Sequence, residues 1–205
     1  MRPELWDIEK GLFSEGYKYI AGVDEAGRGP LVGDVYAAAV ILPGGIVIPG
    51  LDDSKKLSEK RREQLYNEIV KVAISFSVAF ATVAEIEELN ILGATMQAMN
   101  HAIAGLSVTP DISLIDGNTS KGITCPNRTI VDGDAKSASI AAASILAKVS
   151  RDRYMVKLAE LYPGYGFEKH KGYGTRAHYA AIDALGVTPV HRLKYLRKYY
   201  DGRHK

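Results

Sequence analysis

Residues 22–33, "GVDEAGRGPLVG", place two adjacent carboxylates, Asp24 and Glu25, after an apolar stretch and before an arginine that lies between two glycines. The flanking residues 17–23 and 34–42 are short, rich in apolar and β-branched side chains, and separated by Gly and Pro. Such runs predict two consecutive β-strands. Because adjacent acids repel each other, their position where the first strand should end needs a physical explanation.

Hydrophobic periodicity predicts the next elements along the chain. A helix begins after Ser58 as its N-cap and carries Leu65, Ile69 and Val72 on one face, and a third strand covers residues 74–83. A second helix follows and ends in a turn region around Pro110. Its apolar stripe, which indicates core, consists of Leu92, Met96, Met99, Ile103 and Leu106.

The second half of the chain continues the alternation of strands and helices. Residues 112–116 and 129–131 predict short strands, and an Ala-, Ile- and Leu-rich helix spans residues 138–161. A last helix carries His178, Ile182 and Leu185 on one face and ends at Gly186. This order predicts an α/β fold with a mixed central sheet.

Length and composition indicate one globular domain over residues 1–205. Apolar residues make up 46% and charged residues 24% of the chain, and the lone Cys125 excludes an internal disulfide framework. The sequence has no 18-residue apolar run, and its first residues, "MRPELWDIEK", are charged. We therefore expect a cytoplasmic protein without membrane association.

The basic charge is concentrated at the C-terminus. Residues 191–205 hold six Lys or Arg against one Asp, whereas residues 1–190 hold 20 basic against 23 acidic residues. Interleaved with tyrosines, this segment is typical of a phosphate-contacting surface. A solvated helix face with a frayed tail accounts for the same pattern equally well.

Three predicted strands end in carboxylates, at Asp24 with Glu25, at Asp116, and at Asp132 with Asp134. A single such acid is usually a turn or capping residue. If the strands of Asp24 and Asp116 are parallel neighbours, however, their backbones lie about 4.8 Å apart and the acids converge at one sheet edge. Converging carboxylates favour a bound divalent cation, and all-oxygen ligation selects Mg²⁺ or Mn²⁺.

Other catalytic chemistries find little support. The glycines of residues 27–33 do not form a dinucleotide-binding fingerprint, and the chain has no phosphate-binding G-K-[ST] and no G-x-S-x-G elbow. Cys125 precedes Pro126 without a nearby His, which indicates a loop cysteine. The five His and single Cys form no zinc-ligand pattern.

Six motifs, in order over about residues 17–176, resemble those of bacterial ribonuclease HII. They are "GVDEAGRGPLVG", "DDSKKLSEKRR", "LNILGATMQAM", "LIDGN", "GDAKSASIAAASILAKVSRDRYM" and "YGFEKHKGYGT". The resemblance implies a ribonuclease H-like fold with a core over about residues 17–161 and a C-terminal helical extension over about residues 162–205. Because the first predicted strand begins by residue 17, we expect the chain to lack the extra N-terminal domain of ribonuclease HIII and to resemble ribonuclease HII instead.

Matched motif by motif, the resemblance implies an active site of four acids that are both catalytic residues and ligands of two Mg²⁺ or Mn²⁺ ions. These acids are Asp24, Glu25, Asp116 and Asp134. Asp132 has no counterpart and is interpreted as a turn residue. Asp152 also matches a family motif position, but it lies between Arg151 and Arg153, and ion pairing is preferred to metal ligation.

The resemblance further implies substrate-binding residues. The segment Gly27, Arg28 and Gly29 recognises the ribonucleotide and its junction with DNA, where glycines let the backbone approach a 2′-hydroxyl, and Tyr173 stacks at that junction. Phosphate contacts are assigned to four lysines, for which surface solubility is the alternative. These are Lys55, Lys56, Lys169 and Lys171.

The implied activity is that of an endoribonuclease acting on RNA–DNA hybrids and on duplex DNA that contains ribonucleotides. It cuts on the 5′ side of the ribonucleotide and leaves 3′-hydroxyl and 5′-phosphate ends. The rival functions are a non-catalytic nucleic-acid-binding protein, which would lack some of the acids, and a DNA nuclease or recombinase of the same fold. The basic C-terminal tail matches no readable clamp-binding motif, and we expect a monomer without an obligate protein partner.

Overall fold

A mixed five-stranded sheet forms the centre of the fold. The structure is a computed structural model that describes residues 3–52, 54 and 57–201, and the strands in these residues are β1 (Ile20–Ala26), β2 (Val35–Ile41), β3 (Ser75–Ala81), β4 (Ile112–Asp116) and β5 (Asn127–Ile130). The strand order is β3-β2-β1-β4-β5. β2 pairs antiparallel with β3 and β1, whereas β1, β4 and β5 are parallel. The predicted mixed sheet is confirmed, and β1 lies at its middle.

The first strand extends further than the sequence predicted. Its acids lie inside the strand, because β1 still pairs with β2 after its pairing with β4 has ended at Val23. Asp24 lies opposite Ala38, and Glu25 lies opposite Ala37. The prediction that the strand ends at Val23 was therefore wrong by three residues. The other predicted strands differ from the observed ones by at most two residues at either end.

Helices cover both faces of the sheet. In chain order they are α1 (Asp7–Ser14), α2 (Glu59–Val72), α3 (Val83–Ala104), α4 (Ala138–Leu161), α5 (Phe167–His170), α6 (Arg176–Leu185) and α7 (Leu193–Asp201). α4 has the predicted bounds. α2 begins after the predicted N-cap Ser58, whose side chain accepts a hydrogen bond from the Arg61 amide. α1 was not predicted. None of these helices is long and apolar enough to cross a bilayer.

Small side chains bring α4 close to the central strand. Its first half is rich in buried alanine, and it packs on β1 and β2. A Cβ built on Gly22 of β1 would lie 2.0 Å from the carbonyl carbon of Ser139, so only glycine allows this approach. The contact fixes the acids of β1 relative to α4.

α3 covers the opposite face of the sheet with a kink near its start. Thr82 and Glu85 form a capping box at its N-terminus, and Asn90 interrupts the helix with φ 61°. Met96 and Met99 are buried against β1 and β2 residues, as predicted. Leu92, however, is exposed, because the kink at Asn90 lies two residues before it, and its assignment to the core stripe was wrong.

The C-terminal helical extension packs on the second half of α4 and on the loop after β1. Leu31, Met155, Phe167 and Leu196 belong to one buried apolar cluster that joins these parts. Leu185, predicted to share a helical face with His178 and Ile182, is exposed at the last position of α6, whereas the other two residues are buried. The extension therefore buttresses the loop that follows the acids of β1.

Candidate active site

Two of the predicted acids lie side by side on parallel strands. Val23 pairs with Ile115 in the β1–β4 register, and the next residues along the two strands are Asp24 and Asp116. Neighbouring strands are separated by about 4.8 Å, so the two carboxylates start from adjacent backbone positions. Glu25 follows on β1. The expected parallel arrangement of the strands that carry these acids is confirmed.

A cleft with a volume of about 250 Å³ opens over these acids. β1 and β4 supply its acidic wall, the loop after β1 supplies a second wall, and α4 closes a third side. Tyr173 comes from the loop after α5. The lining residues are Asp24, Glu25, Ala26, Gly27, Arg28, Gly29, Ser54, Asp116, Ser144, Lys148, Arg151 and Tyr173.

Burial makes the acidic wall electrostatically costly. Asp24 is 5% exposed, and its pKa is raised well above the ordinary value by burial and then by the charges of Glu25 and Asp116. The Glu25 amide donates to Asp24 Oδ1 at 2.7 Å, and the Ser144 hydroxyl also bonds this carboxyl; both oppose the rise. Burial likewise raises the pKa of Glu25, against the opposing attraction of Arg28, whose Nη1 lies 3.3 Å from Glu25 Oε1.

A backbone contact joins the third predicted acid to the residue that precedes the fourth. The Gly133 amide donates to Asp116 Oδ1 at 2.7 Å, and Asp134 follows Gly133 in a short 3-10 helix between β5 and α4. Asp134 is buried but is not among the cleft-lining residues. Asp132 has left-handed backbone geometry with φ 55°, which agrees with its interpretation as a turn residue.

The donor set fits a hard divalent cation in its chemistry. Within residues 3–52, 54 and 57–201, no three acidic, His or Cys side chains already form a group able to hold a metal ion. The cleft nevertheless presents three carboxylates from adjacent positions, and it has no His or Cys among its lining residues. A cation would relieve the repulsion that raises the pKa of Asp24. Oxygen-only ligation matches the preference of Mg²⁺ and Mn²⁺.

The two predicted substrate-reading elements meet across the cleft. Gly27 has φ 102°, and the Arg28 side chain is half-exposed. A Cβ built on Gly29 would lie 3.4 Å from Tyr173 Cε1. Tyr173 is 48% exposed, so its ring is accessible from the cleft, and its stacking role stays a prediction.

The predicted phosphate-binding lysines have different surroundings. Lys55 and Lys56 lie outside the described residues. Lys169 is exposed on α5. The Lys171 side chain is 14% exposed, and its Nζ lies 3.6 Å from Glu59 Oε1, so it already has an acidic partner. Phosphate binding by these lysines stays a prediction.

A lysine of α4 was missed from the sequence. Lys148 lines the cleft, and its Nζ lies 2.6 Å from Asp152 Oδ1, while Arg62 Nη2 lies 3.8 Å from Asp152 Oδ2. Desolvation lowers the pKa of Lys148, and the charge of Asp152 opposes this. The predicted ion pairing of Asp152 is confirmed, but its partners are not the neighbouring arginines. The i,i+4 spacing of Lys148 and Asp152 on a helix was the available signal.

One arginine of the basic C-terminal segment has no access to a phosphate. Arg192 is fully buried and donates to backbone carbonyls of the loop after β1. Arg151 of α4 is buried beside the same loop. Neither the phosphate-contacting surface nor the solvated helix face that the sequence left open for this segment applies to Arg192, because charge counting does not distinguish a buried guanidinium from an exposed one.

A mixed five-stranded sheet flanked by helices places the chain in the ribonuclease H class, because its structural neighbours are ribonucleases H2 and H3. The sequence model of the family described as Ribonuclease HII matches residues 21–198. The chain is similar to ribonuclease HII of Caldicellulosiruptor saccharolyticus, with 51% identity over 192 residues that cover 94% of each chain. The chain belongs to the ribonuclease HII family and is a type 2 ribonuclease H.

Solved structures confirm the fold. The ribonuclease H2 of Pyrococcus horikoshii superposes with a TM-score of 0.74 and 25% identity, covering 92% of this chain and 100% of its own. The ribonuclease HII of Archaeoglobus fulgidus, solved as a complex with PCNA, has a TM-score of 0.70 and 25% identity, covering 86% of this chain and 95% of its own. The predicted ribonuclease H-like fold with a C-terminal helical extension is therefore confirmed.

Proposed function

We propose that the protein hydrolyses the phosphodiester on the 5′ side of a ribonucleotide embedded in duplex DNA and also degrades RNA in RNA–DNA hybrids, leaving 3′-hydroxyl and 5′-phosphate ends. The observation that carries this proposal is the cleft shared by Asp24, Glu25 and Asp116, the Gly27–Arg28–Gly29 loop and Tyr173. A ribose read by the loop has its 5′ phosphate close to the acidic wall.

The four acids are the proposed metal site, and enzymes of this family are metal dependent. Asp24, Glu25, Asp116 and Asp134 would hold two Mg²⁺ or Mn²⁺ ions, which when bound supply an activated water and stabilise the leaving 3′ oxygen. The protein keeps the Asp24 carboxyl oriented through the Glu25 amide and the Ser144 hydroxyl.

Recognition of the substrate is proposed for the opposite wall of the cleft. Backbone groups of residues 27–29 bond the 2′-hydroxyl, which is both a donor and an acceptor and is absent from DNA. Tyr173 stacks on the following deoxyribose at the junction. Lys55, Lys56, Lys169 and Lys171 are proposed to contact flanking phosphates, which attract basic side chains regardless of sequence.

The proposed partners are the nucleic acids alone. The structural relative from Archaeoglobus fulgidus was solved with PCNA. For this chain we propose activity as a monomer that needs no protein partner, because three of the four acids and the reading loop line one cleft within a single chain.

Three labelled duplexes test the proposed function. The protein and Mg²⁺ are incubated with DNA containing one ribonucleotide, with an RNA–DNA hybrid, and with the same DNA lacking ribose. Cleavage of the first two and not of the third supports the proposal. Comparable cutting of the all-DNA duplex would identify a DNA nuclease, and binding without any cutting would identify a non-catalytic nucleic-acid-binding protein.

A further inference from the structure

One buried guanidinium gathers the carbonyl groups of the loop after β1. Arg192 is fully buried, and its Nε and Nη2 donate to the Gly33 carbonyl at 2.8 and 2.6 Å. Nη2 also donates to the Gly27 carbonyl at 2.7 Å, and Nη1 donates to those of Arg28 at 3.1 Å and Pro30 at 3.0 Å. Four carbonyls of the loop are thus tied to one side chain.

A second buried guanidinium links this loop to the segment that carries Tyr173. Arg151 donates to the Val32 carbonyl and to the Lys171 carbonyl, each at 3.1 Å. The Leu31 amide also donates to the Gly172 carbonyl at 2.9 Å. The backbone beside the reading loop and the backbone beside the stacking ring therefore share the same hydrogen-bonded frame.

The arrangement requires a planar fork of donors. Burial, followed by repulsion from Arg151, lowers the pKa of Arg192 to about 10, which reflects the cost of placing a cation in the interior. Five N–H groups in fixed directions can bond several carbonyls at once, whereas a lysine ammonium is a single point with three donors. Losing the guanidinium would leave buried carbonyls without their donors.

We infer that Arg192 is a positioning residue for ribonucleotide selection: it holds the backbone of residues 27–29 at a fixed place relative to Tyr173. This inference rests on the proposed function. A single embedded ribonucleotide offers only one register in which the 2′-hydroxyl meets the loop. A hybrid offers a ribose at every register, so a displaced loop still finds productive contacts. Loss of the clamp should therefore affect the single-ribonucleotide substrate most.

The test compares kcat and KM on the two substrates for the wild type and for Arg192→Lys, at a temperature well below the Tm of each. We expect kcat/KM on the single-ribonucleotide duplex to fall at least tenfold more than on the hybrid. Ile69→Ala serves as the control, because Ile69 is buried in the separate cluster between α2 and α4. It should lower the Tm without changing the ratio of the two substrates.

Tyr195→Phe provides a second variant in case Arg192→Lys does not fold. The Tyr195 hydroxyl donates to the Arg28 carbonyl at 3.0 Å at a partly exposed position, so its removal loosens the same loop with little effect on the core. We expect a smaller shift of the substrate ratio in the same direction. Unchanged ratios in the folded variants would overturn the inference, whereas a wild type that does not cut the single-ribonucleotide duplex would overturn the proposed function instead.

Discussion

Asp24 and Asp116 lie at the same level of two parallel strands, one residue beyond the pair formed by Val23 and Ile115. Burial, followed by the charges of Glu25 and Asp116, raises the pKa of Asp24. A fold gains nothing in stability from this arrangement, because the two like charges repel each other and the buried Asp24 carboxylate also loses hydration. The arrangement is understandable if the carboxylates hold cations during catalysis.

Asp116→Asn should abolish most cleavage. The amide oxygen can still accept the Gly133 N–H, so the loop that carries Asp134 keeps its support while one ligand charge is lost. We expect kcat in Mg²⁺ to fall by about a hundredfold or more, beyond the loss typical for residues that only support ligands. Duplex binding, measured by fluorescence anisotropy, should change little. Asp132→Asn, at a neighbouring exposed acid, should keep full activity, and wild-type turnover by Asp116→Asn would contradict the four-acid site.

Tyr173→Ala should impair cutting at a single ribonucleotide more than it impairs the fold. The ring is half-exposed in the cleft, and stacking on nucleic acid is worth about 1 to 3 kcal/mol, or roughly 5- to 150-fold in kcat/KM. Tyr173→Phe retains the ring and should retain most activity. A lowered Tm with normal activity of the folded Tyr173→Ala protein would show that the ring serves stability instead.

Gly27→Ala should disrupt the reading loop. Gly27 has φ 102°, and an added Cβ would lie 2.0 Å from Arg151 Nε, so the methyl group must displace the guanidinium frame. We expect the rate of single-ribonucleotide cleavage to fall at least tenfold, which corresponds to an increase of about 1.4 kcal/mol in the activation free energy. Gly16→Ala is the matched control, because Gly16 has φ 97° but open space around its Cβ position. Equal activity of the two variants would contradict the claim that cleavage depends on the backbone geometry of the loop at Gly27.

Much of the fold was predictable because its signals are local. The alanine-rich run that forms α4 and the cap at Ser58 depend on neighbouring residues, and both were predicted correctly. Convergence of Asp24 and Asp116 followed from the rule that parallel strands end at one edge. Asp24 and Glu25 proved to lie inside β1, however, because their pairing partners belong to β2, and a pairing register between strands is not a local property.

The missed features depend on contacts between distant residues. α1 is anchored by Glu9, whose Oε1 accepts the hydroxyls of Ser137 at 2.7 Å and Ser139 at 2.9 Å, more than 120 residues away. Arginine is usually a surface residue, but Arg192 is buried because the carbonyl groups of the loop after β1 accept its hydrogen bonds. Sequence patterns record residue type and spacing, and neither reveals which distant backbone groups need a donor.

Acidification should destabilise the C-terminal extension through its histidines. His178 Nδ1 lies 2.9 Å from the Tyr173 carbonyl, His178 Nε2 lies 3.3 Å from His191 Nε2, and the Thr188 amide donates to His191 Nδ1 at 2.9 Å. All of these hydrogen bonds can form when both imidazole rings are neutral and His191 Nε2 donates to His178 Nε2. An added proton has no acceptor there, and burial lowers the pKa of His191 to about 4.

The sign of the pH effect follows from that pKa. In the unfolded chain His191 is protonated below a pH of about 6.5, whereas in the folded protein it stays neutral until the pH approaches 4. The contribution of His191 to the free energy of unfolding is therefore complete above pH 6.5 and is lost as the pH falls toward 4. Urea unfolding at pH 7.5, 6.0 and 5.0 should show a declining free energy of unfolding. His191→Asn should be less stable at pH 7.5 and should decline less steeply; parallel profiles of the two proteins would contradict this assignment.

The position of the cut tests the central claim most directly. A water nucleophile at the acidic wall cuts on the 5′ side of the ribonucleotide, whereas attack by the 2′-hydroxyl cuts on the 3′ side and leaves a cyclic phosphate. A 5′-labelled DNA strand with one ribonucleotide is annealed, cut in Mg²⁺ and offered to a polymerase. We predict a labelled product that ends in a deoxynucleotide 3′-hydroxyl and is extended. A labelled product that ends in the ribonucleotide, or no cut until several consecutive ribonucleotides are present, would contradict the proposed mechanism.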